Sequence, residues 1–164
     1  MNSEMKSVVN DLNEIVNSFS GKLNSISDDS FAVKPLPNKW SKKEVLGHLI
    51  DSSHTNLRRF VVGQHEHKPP HLIYEQEFWV TANDYQKESP QSIIALWALM
   101  NKRIAAVLSK IPESAYNNSV DTGRGDVSLH SLQWLAADYV KHMKHHLNQI
   151  IPNSYPVTYP LPAK

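Results

Sequence analysis

Apolar residues recur at three- and four-residue intervals along four stretches of the chain, the spacing that gathers side chains on one face of a helix. Val8, Leu12, Ile15, Val16, Phe19 and Leu23 predict an amphipathic helix from about Ser3 to Leu23. Phe31 to Lys39, interrupted by Pro35 and Pro37, reads as a connector. Ser41 then opens a second helix, because Glu44 lies three residues on and completes a capping box. Its apolar stripe is Leu46, Leu49, Ile50, Leu57, Phe60 and Val61. Ser89 followed by Pro90 supplies a cap and then a residue with no amide hydrogen to satisfy. From there Ile93, Trp97, Met100, Ile104, Val107, Leu108 and Ile111 carry a third helix to Pro112. A fourth is predicted from about Ser131 to Ile151, with Leu132, Leu135, Tyr139, Met143, Leu147 and Ile150 inward and Pro152 closing it.

Four stripes need one another for burial, so the expected fold is all-α, a four-helix bundle formed by a single domain over residues 1–164. Two connections, Gly63 to Glu88 and Glu113 to His130, are too long for simple turns, and connections of that length are usually functional or disordered. Phe78, Trp79 and Tyr85 make the first too aromatic for disorder, and it is expected to lie over the bundle as a lid with a short helix in it. Gly123 and Gly125 mark the second as a turn or short hairpin. The Pro-rich tail from Pro152 is expected to be extended, packing on the surface through Tyr155 and Tyr159.

Seventeen Lys plus Arg against sixteen Asp plus Glu leave a net charge of +1. So weak a field does not favour nucleic acid or an anionic membrane, and a small-molecule substrate is the expected partner. The absence of cysteine removes disulfides, thiolate metal sites and a catalytic thiol, leaving histidine and carboxylate as ligands. Charges at Glu4, Lys6, Asp11 and Glu14 interrupt any leader-like apolar run, and no stretch reaches membrane-spanning length. A soluble, cytoplasmic protein is expected.

Chemistry concentrates in the string YVKHMKHHLNQI, where His142 and His146 are four residues apart. At 100° per residue His142 falls about 40° from His146, among Leu135, Tyr139 and Ile150, whereas His145 lies about 100° away. The inward pair is therefore His142 and His146. A metal would satisfy both rings at once; hydrogen bonds to core carbonyls would also do so, and the pair alone leaves both readings open. His48 is the best-placed third ligand, although it lies opposite the second helix's apolar stripe, among Asp51, Ser52, Thr55 and Arg59. That position suits a lateral groove facing the fourth helix and equally an ordinary surface histidine. His65, His67 and His71 form a looser loop cluster around Pro69 and Pro70, while His54 and His130 have no evident partner. Arg124-Gly125-Asp126 spells an adhesion tripeptide by chance, and Trp97 and Trp134 are expected in the core.

Trp40-Ser41, Val45-Leu46-Gly47-His48-Leu49-Ile50-Asp51-Ser52, Arg59-Phe60, Tyr74 with Trp79, and Tyr139 through His146 together resemble the DinB/YfiT-like family of four-helix metalloproteins. The resemblance implies that His48, His142 and His146 bind one divalent ion, nickel or zinc, with positions left open to water. It further implies a homodimer, and either a metal-dependent hydrolase or an enzyme that transfers or isomerises with a low-molecular-weight thiol. Three neutral imidazoles leave an ion's charge intact and lower a bound water's pKa to ~7, and a thiol would be deprotonated likewise, so the ligand set does not separate the two. A binding module without turnover has the same site. Asp51, Glu44, Glu77 and Asp138 are the candidate carboxylates behind the ligands. Glu77 is the candidate general base and Arg59 the candidate receiver of an anionic substrate, with Trp79 and Tyr85 as an apolar pocket wall.

Overall fold

A computed structural model describes residues 1–65 and 71–159. The elements in order are α1 (Ser3–Asn24), α2 (Asp28–Ala32), α3 (Lys42–Val62), α4 (Gln76–Asn83), α5 (Pro90–Leu108), β1 (Ser119–Asp121), β2 (Leu129–Ser131) and α6 (Leu132–Ile150). Short 3₁₀ turns occupy Tyr85–Lys87 and Glu113–Ala115.

The long helices follow the predicted stripes. Ser41 accepts from the Glu44 N–H while the Glu44 carboxylate takes the Ser41 N–H at 2.8 Å, which completes the capping box of α3. Ser89 caps α5 with Pro90 at its first turn, and Ser131 caps α6 through the Trp134 N–H. Two details differ from expectation. The connector is shortened by α2, which Ser27 caps and which drives Phe31 fully into the core. Trp134 is 43% exposed and stacks on His130, whereas Trp97 is fully buried.

Helices α1 and α3 each pack against both α5 and α6, so α1 and α3 stand at opposite corners of the bundle. The α1–α3 and α5–α6 links must therefore cross its ends, which accounts for their length. The α5–α6 link contains the expected hairpin, with Val120 paired to His130. A polar cluster ties three corners together, since the buried Tyr139 hydroxyl meets Asn101 Oδ1 at 2.5 Å and Ser53 Oγ at 2.8 Å.

Helix α3 is the most enclosed element. Thirteen of its 21 residues are buried, and these include His48, Asp51 and Ser52 on the side opposite the apolar stripe, Asn56 at its edge and Ser53 within it. That polar side is covered by α6 and by the segment carrying α4. Lys43 pins the segment by donating to the Gln86 and Glu88 carbonyls at 3.0 and 2.7 Å, and Ser41 Oγ donates to Gln86 Oε1 at 3.0 Å. Tyr85 packs flat on Gly47, where an added Cβ would overlap its ring.

Replacing a helix-interior glycine by alanine ordinarily stabilises by about 0.5–1 kcal/mol. At Gly47 the overlap with Tyr85 reverses the sign, and Gly47→Ala is expected to cost about 1–3 kcal/mol of over-packing strain in urea unfolding. A stabilised variant would show that Tyr85 is not held against α3.

Candidate metal centre

His48 projects from the middle of α3, and His142 and His146 stand one turn apart on α6. Leu135 and Tyr139 carry the same face of α6 into the core, which leaves the two imidazoles at its rim, facing α3. One nitrogen from each of the three rings lies within 4.8 Å of the other two. Nε2 of His48 and Nε2 of His142 face each other at 3.2 Å. Two nitrogens sharing an ion at ~2.0–2.1 Å are roughly 3–3.4 Å apart in octahedral or tetrahedral geometry, so the spacing suits a common ion.

The far sides of two rings are also engaged. Nδ1 of His48 meets the Tyr74 hydroxyl at 3.1 Å, and Nδ1–H of His146 donates to Gln149 Oε1 at 3.0 Å. The other end of the Gln149 amide lies 3.2 Å from Nε2 of His145, so the amide bridges the two rings. Where the far-side nitrogen carries the hydrogen, an Nε2 lone pair is left facing its neighbours. His145 itself points away, its ring against Tyr159.

Burial, followed by the charges of His146 and Arg124, lowers His48 to about 3. Burial first, then the neighbouring rings, holds His142 well below the ordinary imidazole value. His146 is lowered to about 4, again by burial first, against the opposing bond to Gln149. All three rings are neutral at physiological pH, the form that ligates.

The imidazoles stand between two cavities. His48 and His142 line one of about 280 Å³, with Arg59, Tyr74, Arg124 and Tyr159. His146 opens onto another of about 660 Å³ with Trp40, Val45, Lys42, Glu77 and Gln149. Glu77 thus reaches the His146 side from the exposed face of α4, and Arg59 reaches the His48 side.

The other carboxylates expected behind the ligands are engaged elsewhere. Glu44 serves the α3 cap and pairs with Lys34 at 2.7 Å. Asp51 Oδ1 accepts from Tyr85 at 2.6 Å and Asn83 at 3.1 Å, and its burial raises it to about 6. Asp138 accepts from Tyr159 at 3.1 Å. Trp79 and Tyr85 wall a third cavity of about 470 Å³, beside Asp51 and His54, and neither lines the two cavities at the imidazoles. His65 is exposed, His71 bonds Asp121, and His67, Pro69 and Pro70 lie outside the described residues. Tyr74, Gln149 and Arg124 were given no role by the sequence reading. The i,i+3 spacing of Gln149 from His146 and the place of Tyr74 in the family resemblance are the signals that mark two of them; Arg124 has none.

The sequence profile of the DinB superfamily matches residues 12–150. The chain belongs to the DinB superfamily. Among solved structures this DinB protein is similar to YfiT from Bacillus subtilis, described as a probable metal-dependent hydrolase with an unusual four-helix bundle topology. The TM-score is 0.81 at 20% identity, covering 92% of this chain and 86% of YfiT. It is also similar to the mycothiol-dependent maleylpyruvate isomerase, with a TM-score of 0.69 at 11% identity, over 96% of this chain and 65% of the isomerase. A mutant of that isomerase gives 0.71 at 10% identity, over 90% and 62%. The DinB chain spans less than two thirds of the isomerase's length. No curated protein matches the sequence. At these identities the likenesses establish a shared helical architecture.

The lowered imidazoles make a signed pH prediction for the metal-free DinB protein. A histidine depressed in the folded state binds its proton preferentially when unfolded, so stability is present above pH ~6.5 and lost as pH falls toward the folded values. Asp51, raised to about 6, acts in the opposite sense and cancels part of the loss. The urea midpoint is expected to fall steadily from pH 7 to pH 5, with uptake of about two protons on unfolding. A midpoint that does not change over that range would mean that the three rings are not held neutral by burial.

Proposed function

We propose that this chain is a metal-dependent enzyme acting on a small molecule, in which His48, His142 and His146 hold one zinc or nickel ion with positions left open. The observation that carries this reading is the convergence of three neutral imidazoles with two far-side nitrogens already tied to Tyr74 and Gln149. Without an ion, His48 and His142 meet through their two Nε2 atoms at 3.2 Å, a contact that one ring proton can bridge, while a nitrogen of His146 lies within 4.8 Å of both. One proton can bridge only one pair of the three converging nitrogens, so the donor set fits a cation better than it fits itself. When bound, the ion supplies Lewis acidity that brings the pKa of water at an open position to ~7 and deprotonates a thiol there.

Hydrolysis is the first reading. Glu77 on the His146 side is the carboxylate available to accept a proton, and Arg59 on the His48 side positions the substrate. Tyr74 and Gln149 keep the rings from turning. Thiol-dependent transfer or isomerisation is the second reading, favoured by the two cavities, since such a reaction must seat a thiol and an electrophile together. The likeness to a mycothiol-dependent isomerase supports the same reading at the level of fold. A homodimer is part of the proposal, as the family resemblance implies.

Protein purified without a polyhistidine tag is expected to carry close to one zinc or nickel per chain. His48→Ala and His146→Ala should each lose it, and His145→Ala should keep it, by elemental analysis. Tyr74→Phe and Gln149→Ala should retain the ion but weaken it about 10–100-fold. Full retention by His48→Ala and His146→Ala would end the three-histidine reading. Offering chlorinated and epoxide electrophiles with and without cellular thiols then separates the two reactions, because only transfer should require the thiol.

A further inference from the structure

The smaller cavity is lined by two arginines. The Asp121 carboxylate acts on Arg59 and Asp138 on Arg124 through space, but none of these approaches closes to an ion pair among the described residues. Arg59 leaves α3 half-buried, and its Nη1 donates to Asn56 Oδ1 at 3.3 Å while Nη2 reaches the Leu72 carbonyl only at 3.5 Å. Its Nε is enclosed and has no partner among the described residues. Arg124 comes to the same cavity from a different element, the exposed tip of the β1–β2 hairpin. Neither guanidinium belongs to an ion pair among the described residues.

The nearby acids are already engaged. Asp121 Oδ1 takes the N–H groups of Gly123 and Ser128, each at 2.9 Å, and Oδ2 takes the His71 ring. Those bonds shape the hairpin that presents Arg124, and Gly123 is required there because an added Cβ would strike the Asp126 carbonyl. Asp138 accepts from the Tyr159 hydroxyl. Trp134 and Leu135 also line the cavity and offer apolar surface to a short carbon skeleton, and His48 and His142 line it too.

We propose that Arg59 and Arg124 form a carboxylate clamp, so that the substrate is a small organic acid whose carboxylate is held between α3 and the hairpin while its reacting end faces His48 and His142. Resting on the metal-dependent reading above, the clamp supplies what that reading leaves open, the chemical class of the substrate. Two planar forks of N–H donors match a carboxylate in two parallel bonds each, which a lysine cannot do. About 280 Å³ lies at the low end of ligand cavities, so the acid is small. Arg59 is the fixed jaw. Arg124, at the hairpin tip between Gly123 and Gly125, is the jaw that adjusts to the acid.

Phosphate offers similar acceptors, and the test distinguishes it. Acetate, succinate and benzoate, each beside its neutral amide, and inorganic phosphate are titrated into the full chain by calorimetry, metal-free and with one equivalent of zinc. The Arg59 Nε–H resonance is followed by nitrogen-edited NMR. At least one acid is expected to bind about tenfold or more tightly than its amide and to shift that resonance. Arg124→Ala should weaken that acid about tenfold. Arg59→Lys, which keeps the charge but loses the fork, should do the same. Lys6→Ala, an exposed charge on α1, should change nothing.

Equal binding of acids and amides, or an equal loss in Lys6→Ala, would overturn the clamp. Phosphate binding more tightly than every acid, with the same dependence on Arg124, would overturn the carboxylate assignment. A chain that takes up no zinc yet still discriminates acid from amide through Arg124 would refute the metal reading and leave the clamp standing. Zinc uptake without discrimination would do the reverse.

Discussion

Everything distinctive in this protein follows from burying the polar side of α3. A bundle helix normally turns one stripe inward and leaves the rest to water. Here His48, Asp51, Ser52 and Asn56 are buried as well, and each buried polar group costs about 1–3 kcal/mol unless it finds a partner. The segment carrying α4, the 3₁₀ turn at Tyr85–Lys87 and α6 supply the partners. Asp51 receives Tyr85 and Asn83, Asn56 bonds back to Ser52, and His48 receives Tyr74 on one side and His142 on the other. Tyr85 approaches closely enough to do so because residue 47 is glycine.

The same burial decides the electrostatics. Three imidazoles removed from water cannot carry charge cheaply, so they are neutral and arrive as lone-pair donors. Their surroundings are asymmetric. Arginines and tyrosines lie on the His48 and His142 side, whereas Lys42, Glu77 and a larger apolar opening lie on the His146 side. A centre open to two unlike compartments can bring together two unlike reactants, and a purely hydrolytic site has no need of that second space.

The long helices were legible because their apolar spacing is regular and their caps are explicit. Helical phase also separated His142 and His146 from His145, since a 100° rotation is large against the width of a stripe. His48 was harder. Its position on the polar side of α3 means a groove only if something covers that side, and the covering segments between 63 and 88 and between 113 and 130 have no periodicity to read. Only the family resemblance spoke for it. Arg124 was illegible for the same reason, because its reach depends on a hairpin shaped by Asp121 taking two backbone N–H groups. Glu44 and Asp51 misled in the other direction. A carboxylate near a ligand in sequence has other claims on it, a helix cap in one case and a tyrosine in the other.

Ser131 ends β2 and caps α6, so the hairpin and the helix of His142 and His146 share a residue rather than a linker. A hinge needs slack, and this junction has none. Lengthening the chain at that corner would turn α6 about its axis, and a rotation of one residue's worth would carry both imidazoles out of register with His48. Changes in loop length are accommodated at the tip, around residues 123–127, where they alter the reach of Arg124 without disturbing the rings. The reach of Arg124 can therefore vary at one end of the hairpin while the register of the three rings is held by geometry at the other.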